Sequence, residues 1–249
     1  MKLISVIMPY FKKKEYFIKS LNSIISQSYK NLEIIIIDDE VSSESKTLLE
    51  KASNLDQRIK IISNISNLGA GLSRNNGISI SKGEYIAFCD CDDVWFEDKL
   101  KNQIKFMEIN NFNFTYSAYK VIDHNDQIIG SREAKINISF RELINSCDIG
   151  LSTVILKKSL LKNNKFLFPN LKTKEDYVLW LRIAENGEQI NGYNEYLSCW
   201  RKTSNSLSSS TIQKLKDGFK VYNTYLGYGV LKSLYSLLIL SINFIFKRN

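Results

Sequence analysis

Uninterrupted apolar runs alternate with segments of helical periodicity along the first 110 residues of the chain. A strand that is buried on both faces of a parallel sheet shows such a run instead of an alternation of apolar and polar residues. We therefore predict strands at 3–8, 33–37, 60–63 and 85–89. Helices are expected between them, at the helically spaced Phe17, Leu21, Ile24 and Ile25, and at 44–54, 70–81 and about 96–110. The alternation predicts an α/β domain with helices flanking a mostly parallel central sheet.

The rhythm changes after residue 112. Residues 114–130 predict two strands around a turn at Asn125-Asp126, and mixed helical and strand pieces follow as far as residue 201. No Pro/Gly-rich linker separates these pieces from the first half. We therefore expect one domain over 1–210, with halves at 1–111 and 112–210.

Residues 211–249 predict a helical tail of different composition. The stretch 233–246 carries no charge, but it is shorter than the roughly 20 apolar residues that a membrane span requires. We expect an amphipathic helix that lies on a membrane surface and ends at Lys247 and Arg248. The alternative is a helix that docks on the core of the domain.

The formal net charge of +8 is compatible with nucleic acid, anionic lipid or phosphorylated small molecules. The chain contains no RNA-binding aromatic motif, so no nucleic-acid partner is expected. Its four cysteines show neither zinc-ligand spacing nor a disulfide pattern, which favours reduced thiols in a cytoplasm. The apolar run at 3–8 is too short for a signal peptide, so we do not expect export.

Acidic residues follow two of the predicted strands. Asp38 and Asp39 end one, and Asp90, Asp92 and Asp93 end another. Ligands of open α/β sheets bind beyond the carboxyl ends of the strands, so both groups are expected at one crevice. A divalent cation, Mg²⁺ or Mn²⁺, that bridges to phosphates would offset the repulsion between the carboxylates. Alternatively, the acids open a turn or cap the helix that follows.

Three blocks of the sequence resemble family-2 glycosyltransferases of the GT-A fold. They are SVIMPYFKKKEYFIKSLNSIISQSYKNLEIIIIDDE, NLGAGLSRNNGISISKGEYIAFCDCDD and KEDYVLWLRIAENG, and together they cover most of residues 3–201. The resemblance implies that 1–111 binds a nucleotide-sugar and that 112–210 shapes the acceptor side. It implies a Mn²⁺ or Mg²⁺ cofactor, because the diphosphate leaving group develops charge that a metal ion stabilises.

The same resemblance assigns roles on the donor side. Pro9 would lie beside the uracil ring of a UDP-sugar, and Asp39 would accept a hydrogen bond from that ring. Asp90 would contact the ribose or the donor sugar, Asp92 would bind the metal, and Arg74 would help to fix the donor.

Asp176 is the catalytic base that the resemblance implies, with Glu175 as its neighbour. From spacing alone, this acidic pair is equally typical of a first helical turn favoured by the helix dipole. The stretch CWRKTSNSLS departs from the family pattern because it lacks the His that can join the metal site, so Arg201 or Lys202 is expected to meet the diphosphate. The only histidine, His124, is expected on the surface.

These features imply an inverting transferase that forms a β-linkage from a UDP-sugar to a hydroxyl of a glycan or lipid-linked oligosaccharide. It would act in bacterial lipopolysaccharide, O-antigen or capsule synthesis, peripherally on the inner face of the cell membrane, and a homo-oligomer is compatible with the sequence. The alternatives are a polyprenyl-phosphate sugar transferase, a metal-dependent nucleotidyltransferase and a binding module that has lost catalysis.

Overall fold

One mixed sheet runs through the computed structural model, which describes residues 1–161, 164–203 and 210–246. Within those ranges the strands are β1 (Ile4–Tyr10), β2 (Leu32–Asp38), β3 (Ile59–Ser63), β4 (Tyr85–Phe88), β5 (Val94–Trp95), β6 (Phe114–Ile122), β7 (Ile128–Arg132), β8 (Ile155–Lys157) and β9 (Asn191–Arg201). The helices are α1 (Lys14–Ile25), α2 (Ser43–Ser53), α3 (Ala70–Ile80), α4 (Lys99–Ile109), α5 (Phe140–Leu143), α6 (Glu175–Glu185), α7 (Thr211–Lys220) and α8 (Val230–Phe246).

The first half of the sheet is parallel, as its apolar runs predict. Its strand order is β3-β2-β1-β4, and every residue of β1 and β2 is buried. β-branched side chains favour strands because they pack well on a pleated surface that is covered on both faces. The carboxyl ends of β1, β2 and β4 therefore meet at one edge of the sheet, where the two acidic groups follow.

The second half of the sheet is mixed. β8 runs antiparallel to β4 and to β6, β9 lies parallel to β6, and β5 and β7 pair antiparallel at the periphery. The predicted turn at Asn125-Asp126 is present, where Asp123 accepts the N–H groups of Asn125 and Gln127. His124 is exposed, as expected. The division at residue 112 stays a prediction, since one sheet joins both halves.

The C-terminal helices pack on the domain with one face and expose the other. Ser233, Ser236 and Leu240 of α8 are buried, and Asn243 donates to the carbonyl of Asn145 at 2.9 Å. The opposite face is apolar and exposed; we call it the outer stripe of α8, formed by Leu231, Leu234, Tyr235, Leu238, Ile242 and Ile245. Within the described ranges, none of the helices is long and apolar enough to cross a membrane. The predicted end at Lys247 and Arg248 lies outside the described residues.

Gly192 at the start of β9 offers a test of how tightly this half is packed. A Cβ atom there would lie 2.3 Å from the carbonyl oxygen of Lys135, which is backbone and has little room to shift. We expect Gly192→Ala to lower the free energy of unfolding by about 1–3 kcal/mol through overpacking. Urea denaturation measures the change. Gly130→Ala in β7 is the matched control, because its Cβ would find its nearest neighbour at 3.9 Å. Equal stability of both variants would contradict the packing described here.

Candidate active site

A buried arginine joins the two acidic regions of the chain. Arg74 of α3 is 3% exposed. Its Nη2 donates to Oδ1 of Asp90 at 2.7 Å, and its Nη1 donates to Oε1 of Glu175 at 2.7 Å. The guanidinium also lies over the ring of Phe168, 5.4 Å from its centroid. One cation therefore links the loop after β4 to the start of α6, two segments that are far apart in the sequence.

Asp39 fixes the helix that carries this arginine. Its Oδ1 accepts from the N–H of Leu68 at 2.7 Å and from Asn64 at 2.8 Å. Its Oδ2 accepts from the N–H of Gly69 at 3.0 Å and from Asn67 at 3.1 Å. The carboxylate thus holds the two residues just before α3 begins. Its predicted hydrogen bond to uracil stays a prediction, and all of these donors come from the protein itself.

Asp38 and Pro9 lie beside it with different surroundings. Asp38 accepts the N–H groups of Glu40 and Val41 and the hydroxyl of Ser45, so it organises the turn into α2. The turn-opening interpretation therefore fits Asp38. Pro9 is buried in β1, in register with Ile37 of β2. Its position at the carboxyl end of β1 is compatible with the predicted contact to the base, which stays a prediction.

Asp93 shapes the loop of three aspartates from the inside. Its Oδ2 accepts from the hydroxyl of Ser152 at 2.5 Å, and its Oδ1 accepts the N–H of Arg201 at 2.9 Å. The same Ser152 hydroxyl accepts the N–H of Asp90 at 3.0 Å. Burial, followed by the charges of Asp92 and Asp90, raises the pKa of Asp93 well above its usual range. A deeply held Asp93 leaves Asp90 and Asp92 as the carboxylates of this loop that meet side-chain cations.

Lys13 is the cation that faces Asp92. Its Nζ lies 3.0 Å from Oδ2 of Asp92 and donates to Thr203 at 2.7 Å. Burial and the charge of Asp90 raise the pKa of Asp92, while Lys13 opposes the rise. The sequence contains a signal for this residue, since the lysines at 12–14 directly follow β1. A run of three lysines is equally typical of a solvated surface, which is why we did not predict Lys13 as a site residue.

Arg201 lies behind the aspartate loop. Its Nε donates to the carbonyl of Asp92 at 2.9 Å, Nη1 donates to the carbonyl of Asp123 at 2.8 Å, and Nη2 donates to Asp126 at 2.6 Å. The guanidinium also stacks over Tyr16. These contacts tie β9 to the loop that carries Asp90 and Asp92. The predicted contact of Arg201 with a diphosphate is not tested by this arrangement and stays a prediction.

The acidic pair at the start of α6 is divided between two tasks. Glu175 is buried against Arg74; burial raises its pKa to about 7, with Arg74 opposing and Asp176 adding to the rise. Asp176 is half-buried, and its Oδ1 accepts the N–H of Tyr177 at 2.7 Å. Burial also raises the pKa of Asp176, against the charge of Arg74. Glu175 is thus committed to the arginine, whereas Asp176 keeps accepting capacity for another donor.

The described residues contain no group of three or more His, Cys, Asp or Glu side chains arranged to hold a metal ion. Mg²⁺ and Mn²⁺ sites in nucleotide enzymes commonly use one or two carboxylates and complete their shell with phosphate oxygens and water. Asp90 and Asp92 fit that requirement, because the two carboxylates raise each other's proton affinity and each already faces a cation.

Comparisons with known proteins agree with this geometry. The family model described as "Glycosyl transferase family 2" matches residues 5–166. The chain is 35% identical over 225 residues to the Escherichia coli UDP-Glc:alpha-D-GlcNAc-diphosphoundecaprenol beta-1,3-glucosyltransferase WfgD, which covers 90% of this chain and 86% of the relative. It is 36% identical over 215 residues to the E. coli enzyme WfaP, of the same described activity, which covers 86% of this chain and 83% of the relative.

A solved structure shares the fold. The crystal structure of S. aureus TarS 1-349 in complex with UDP-GlcNAc superposes with a TM-score of 0.76 at 22% identity and covers 95% of this chain and 70% of that chain. The family match spans more than half of the sequence, and the two E. coli relatives align along most of it. The chain therefore belongs to glycosyltransferase family 2 and is a glycosyltransferase with the GT-A fold.

Proposed function

We propose that this glycosyltransferase transfers a sugar from a UDP-sugar to a hydroxyl of a lipid-linked glycan, with inversion to a β-linkage, in bacterial surface-glycan synthesis. The observation that carries the proposal is the Arg74 bridge, which brings the donor-side Asp90 and the base-side Glu175 onto one cation. The two E. coli relatives support the choice of substrates, since their names specify a UDP-Glc donor and a diphosphoundecaprenol-linked GlcNAc acceptor.

Asp176 takes the proton of the acceptor hydroxyl in this proposal. As the acceptor oxygen forms a bond to the anomeric carbon, the bond from that carbon to the diphosphate breaks and UDP leaves with the electron pair. Attack on the face opposite the leaving group converts an α-linked donor into a β-linked product. A carboxylate whose pKa is raised by burial is a stronger base than an exposed aspartate, which suits this task. Glu175 positions the pair through Arg74.

Asp92, with Asp90 beside it, would hold a Mn²⁺ or Mg²⁺ ion. When bound, such an ion supplies positive charge that stabilises the diphosphate as it leaves. The chain contributes further cations on the same side: Lys13 lies 3.0 Å from Asp92, and Arg74 reaches Asp90. The ammonium of Lys13 is on a flexible stem, so it can move from the carboxylate to a phosphate oxygen.

The outer stripe of α8 docks on the inner face of the cell membrane in this proposal. Large apolar residues recur along this stripe at helical spacing, whereas the residues that α8 turns to the domain include Ser233 and Ser236. A helix that serves only to cover a core would place its large apolar residues inward. The chain's net charge of +8 and the exposed Lys232 complement an anionic lipid surface. A lipid-linked acceptor would be presented at that surface.

A donor and acceptor panel tests the reaction. We expect metal-dependent transfer from a UDP-sugar, UDP-Glc first, to a GlcNAc-diphospholipid, and none to polyprenyl phosphate alone. Asp176→Ala should lower kcat by about 10²–10⁴-fold, the usual contribution of a general base. Asp92→Ala should also abolish transfer, and it alone should remove the Mn²⁺-dependent part of UDP affinity, measured by calorimetry.

Glu185→Ala is the control for this panel, because it removes an exposed acid at the other end of the same helix. Wild-type turnover in excess chelator would reject the metal assignment. Full transfer by Asp176→Ala would remove it as the base, and transfer to polyprenyl phosphate would favour the alternative acceptor.

The pH dependence of kcat tests the coupling between the two acids. Because the pKa of Asp176 is raised, kcat should fall on the acid side at a pH above 3.8, the usual pKa of aspartate. Glu175→Gln removes a negative charge from beside Asp176 and leaves Arg74 with less compensation, so the acid limb should move to lower pH. A limb that stays in place or moves upward would show that the two acids do not interact.

Vesicle binding tests the outer stripe. The full chain should sediment with anionic vesicles, and the pair Leu234→Ser with Leu238→Ser should weaken that binding by at least about tenfold, since each buried leucine contributes roughly 1.5–3 kcal/mol. The control is Leu55→Ser, because Leu55 is 52% exposed, close to the 51% of Leu234 and the 56% of Leu238. Equal binding by the wild type and the double variant would refute a lipid contact. Self-association that the double variant abolishes would assign the stripe to a second copy instead.

A further inference from the structure

Asp217 on α7 is a buried carboxylate that reaches out of the C-terminal helices into the domain. It is 1% exposed. Its Oδ2 accepts the N–H of Thr173 at 3.0 Å, the hydroxyl of Thr173 at 3.0 Å, and Nε2 of Gln213 at 2.9 Å. Hydrogen bonds to a charged acceptor are stronger than neutral ones, and a buried charge requires them. Two of the three therefore hold a single distant residue, Thr173.

Thr173 directly precedes the acids at the start of α6. The residue between them, Lys174, has left-handed backbone angles (φ 63°, ψ 16°). Such angles cost a non-glycine residue of order 1–3 kcal/mol and persist only where the surroundings enforce them. Within the described residues, Lys174 makes no side-chain capping bond to α6. The bonds from Asp217 to Thr173 thus supply, from another helix, the restraint that a local capping residue normally provides.

The C-terminal helices contact the same region at two more places. Gly218, next to Asp217, approaches the side chain of Lys174, because a Cβ at this glycine would lie 3.6 Å from Cε of the lysine. Farther along, the hydroxyl of Tyr222 lies 3.5 Å from that of Tyr177, which belongs to α6, and donates to the carbonyl of Ile144. The start of α6 therefore lies against the C-terminal helices on one side and against Arg74 on the other.

We propose that Asp217 is a positioning residue for the catalytic base. By holding Thr173, it sets the backbone at Lys174 and so the direction in which Glu175 and Asp176 leave it. The C-terminal helices thereby form part of the catalytic unit in addition to offering the outer stripe. The proposal rests on the proposed function in one respect, the assignment of Asp176 as base.

The test compares Asp217→Asn with Glu185→Gln in the full chain. The first keeps the shape of the side chain, removes its charge and turns an amide toward the Thr173 donors; the second makes the same acid-to-amide change at an exposed site on α6. We expect Asp217→Asn to lower kcat about 10- to 100-fold, the effect of a small displacement of a reacting group. Affinity for UDP should stay within about twofold, and the acid limb of the kcat profile should shift. Glu185→Gln should match the wild type in all three.

Hydrogen exchange of residues 172–177 provides a second readout that does not depend on activity. The Thr173 amide should exchange faster in Asp217→Asn than in the wild type. If that variant does not fold, Gln213→Ala, which removes one of the three donors to Asp217 and touches neither Thr173 nor the base, should show the same changes to a smaller degree.

Each outcome separates this proposal from the proposed function. An active wild type with an unchanged kcat in folded Asp217→Asn overturns the positioning role and leaves the proposed function intact. A fall in kcat with an unmoved pH profile and unchanged exchange at Thr173 also overturns it, because that pattern reflects a smaller folded fraction. A wild type that transfers no sugar overturns the proposed function, and exchange at Thr173 still decides whether Asp217 restrains this segment.

Discussion

The ion pairs of one buried guanidinium determine how the site is arranged. Arg74 is almost fully removed from water, and the cost of burying its charge is offset by Asp90 on one side and Glu175 on the other, each at 2.7 Å. Breaking a buried pair by removing one partner typically costs 3–5 kcal/mol, because the remaining charge stays uncompensated. The loop after β4 and the start of α6 are therefore held at a fixed separation, although they are distant in the sequence.

The acids at the strand ends perform two different kinds of work. Asp38, Asp39 and Asp93 are buried and accept hydrogen bonds mainly from backbone N–H groups and short polar side chains, so they determine the shape of the loops. Asp90 and Asp92 instead face the cations Arg74 and Lys13. The first set builds the crevice edge and the second set leaves charge there. This division explains how so many carboxylates can occupy one edge of a sheet without an excessive repulsion.

The sequence predicted the parallel half of the fold well because its strands are continuous β-branched runs whose burial on both faces is visible locally. It also singled out Arg74, Asp90, Glu175 and Asp176 through the family resemblance. It did not predict which carboxylates would be saturated by the protein. The donors to Asp39 include Leu68, and those to Asp217 include Thr173, so each interaction depends on folding of the intervening chain. Short-range patterns carry no information about such pairs.

The same limit applies to the C-terminal helices, where both alternatives from the sequence contain part of the answer. α8 docks on the domain through Ser233, Ser236 and Leu240, yet it keeps a continuous apolar stripe outside. α7 connects this pair of helices to Thr173, directly before the acids of α6. A structural element that offers apolar surface on one side and restrains the base-bearing segment on the other relates the orientation of the acceptor surface to the geometry of proton transfer. For an acceptor whose lipid end stays in a membrane, that relation matters, because the hydroxyl must meet Asp176 at a fixed height above the lipid surface.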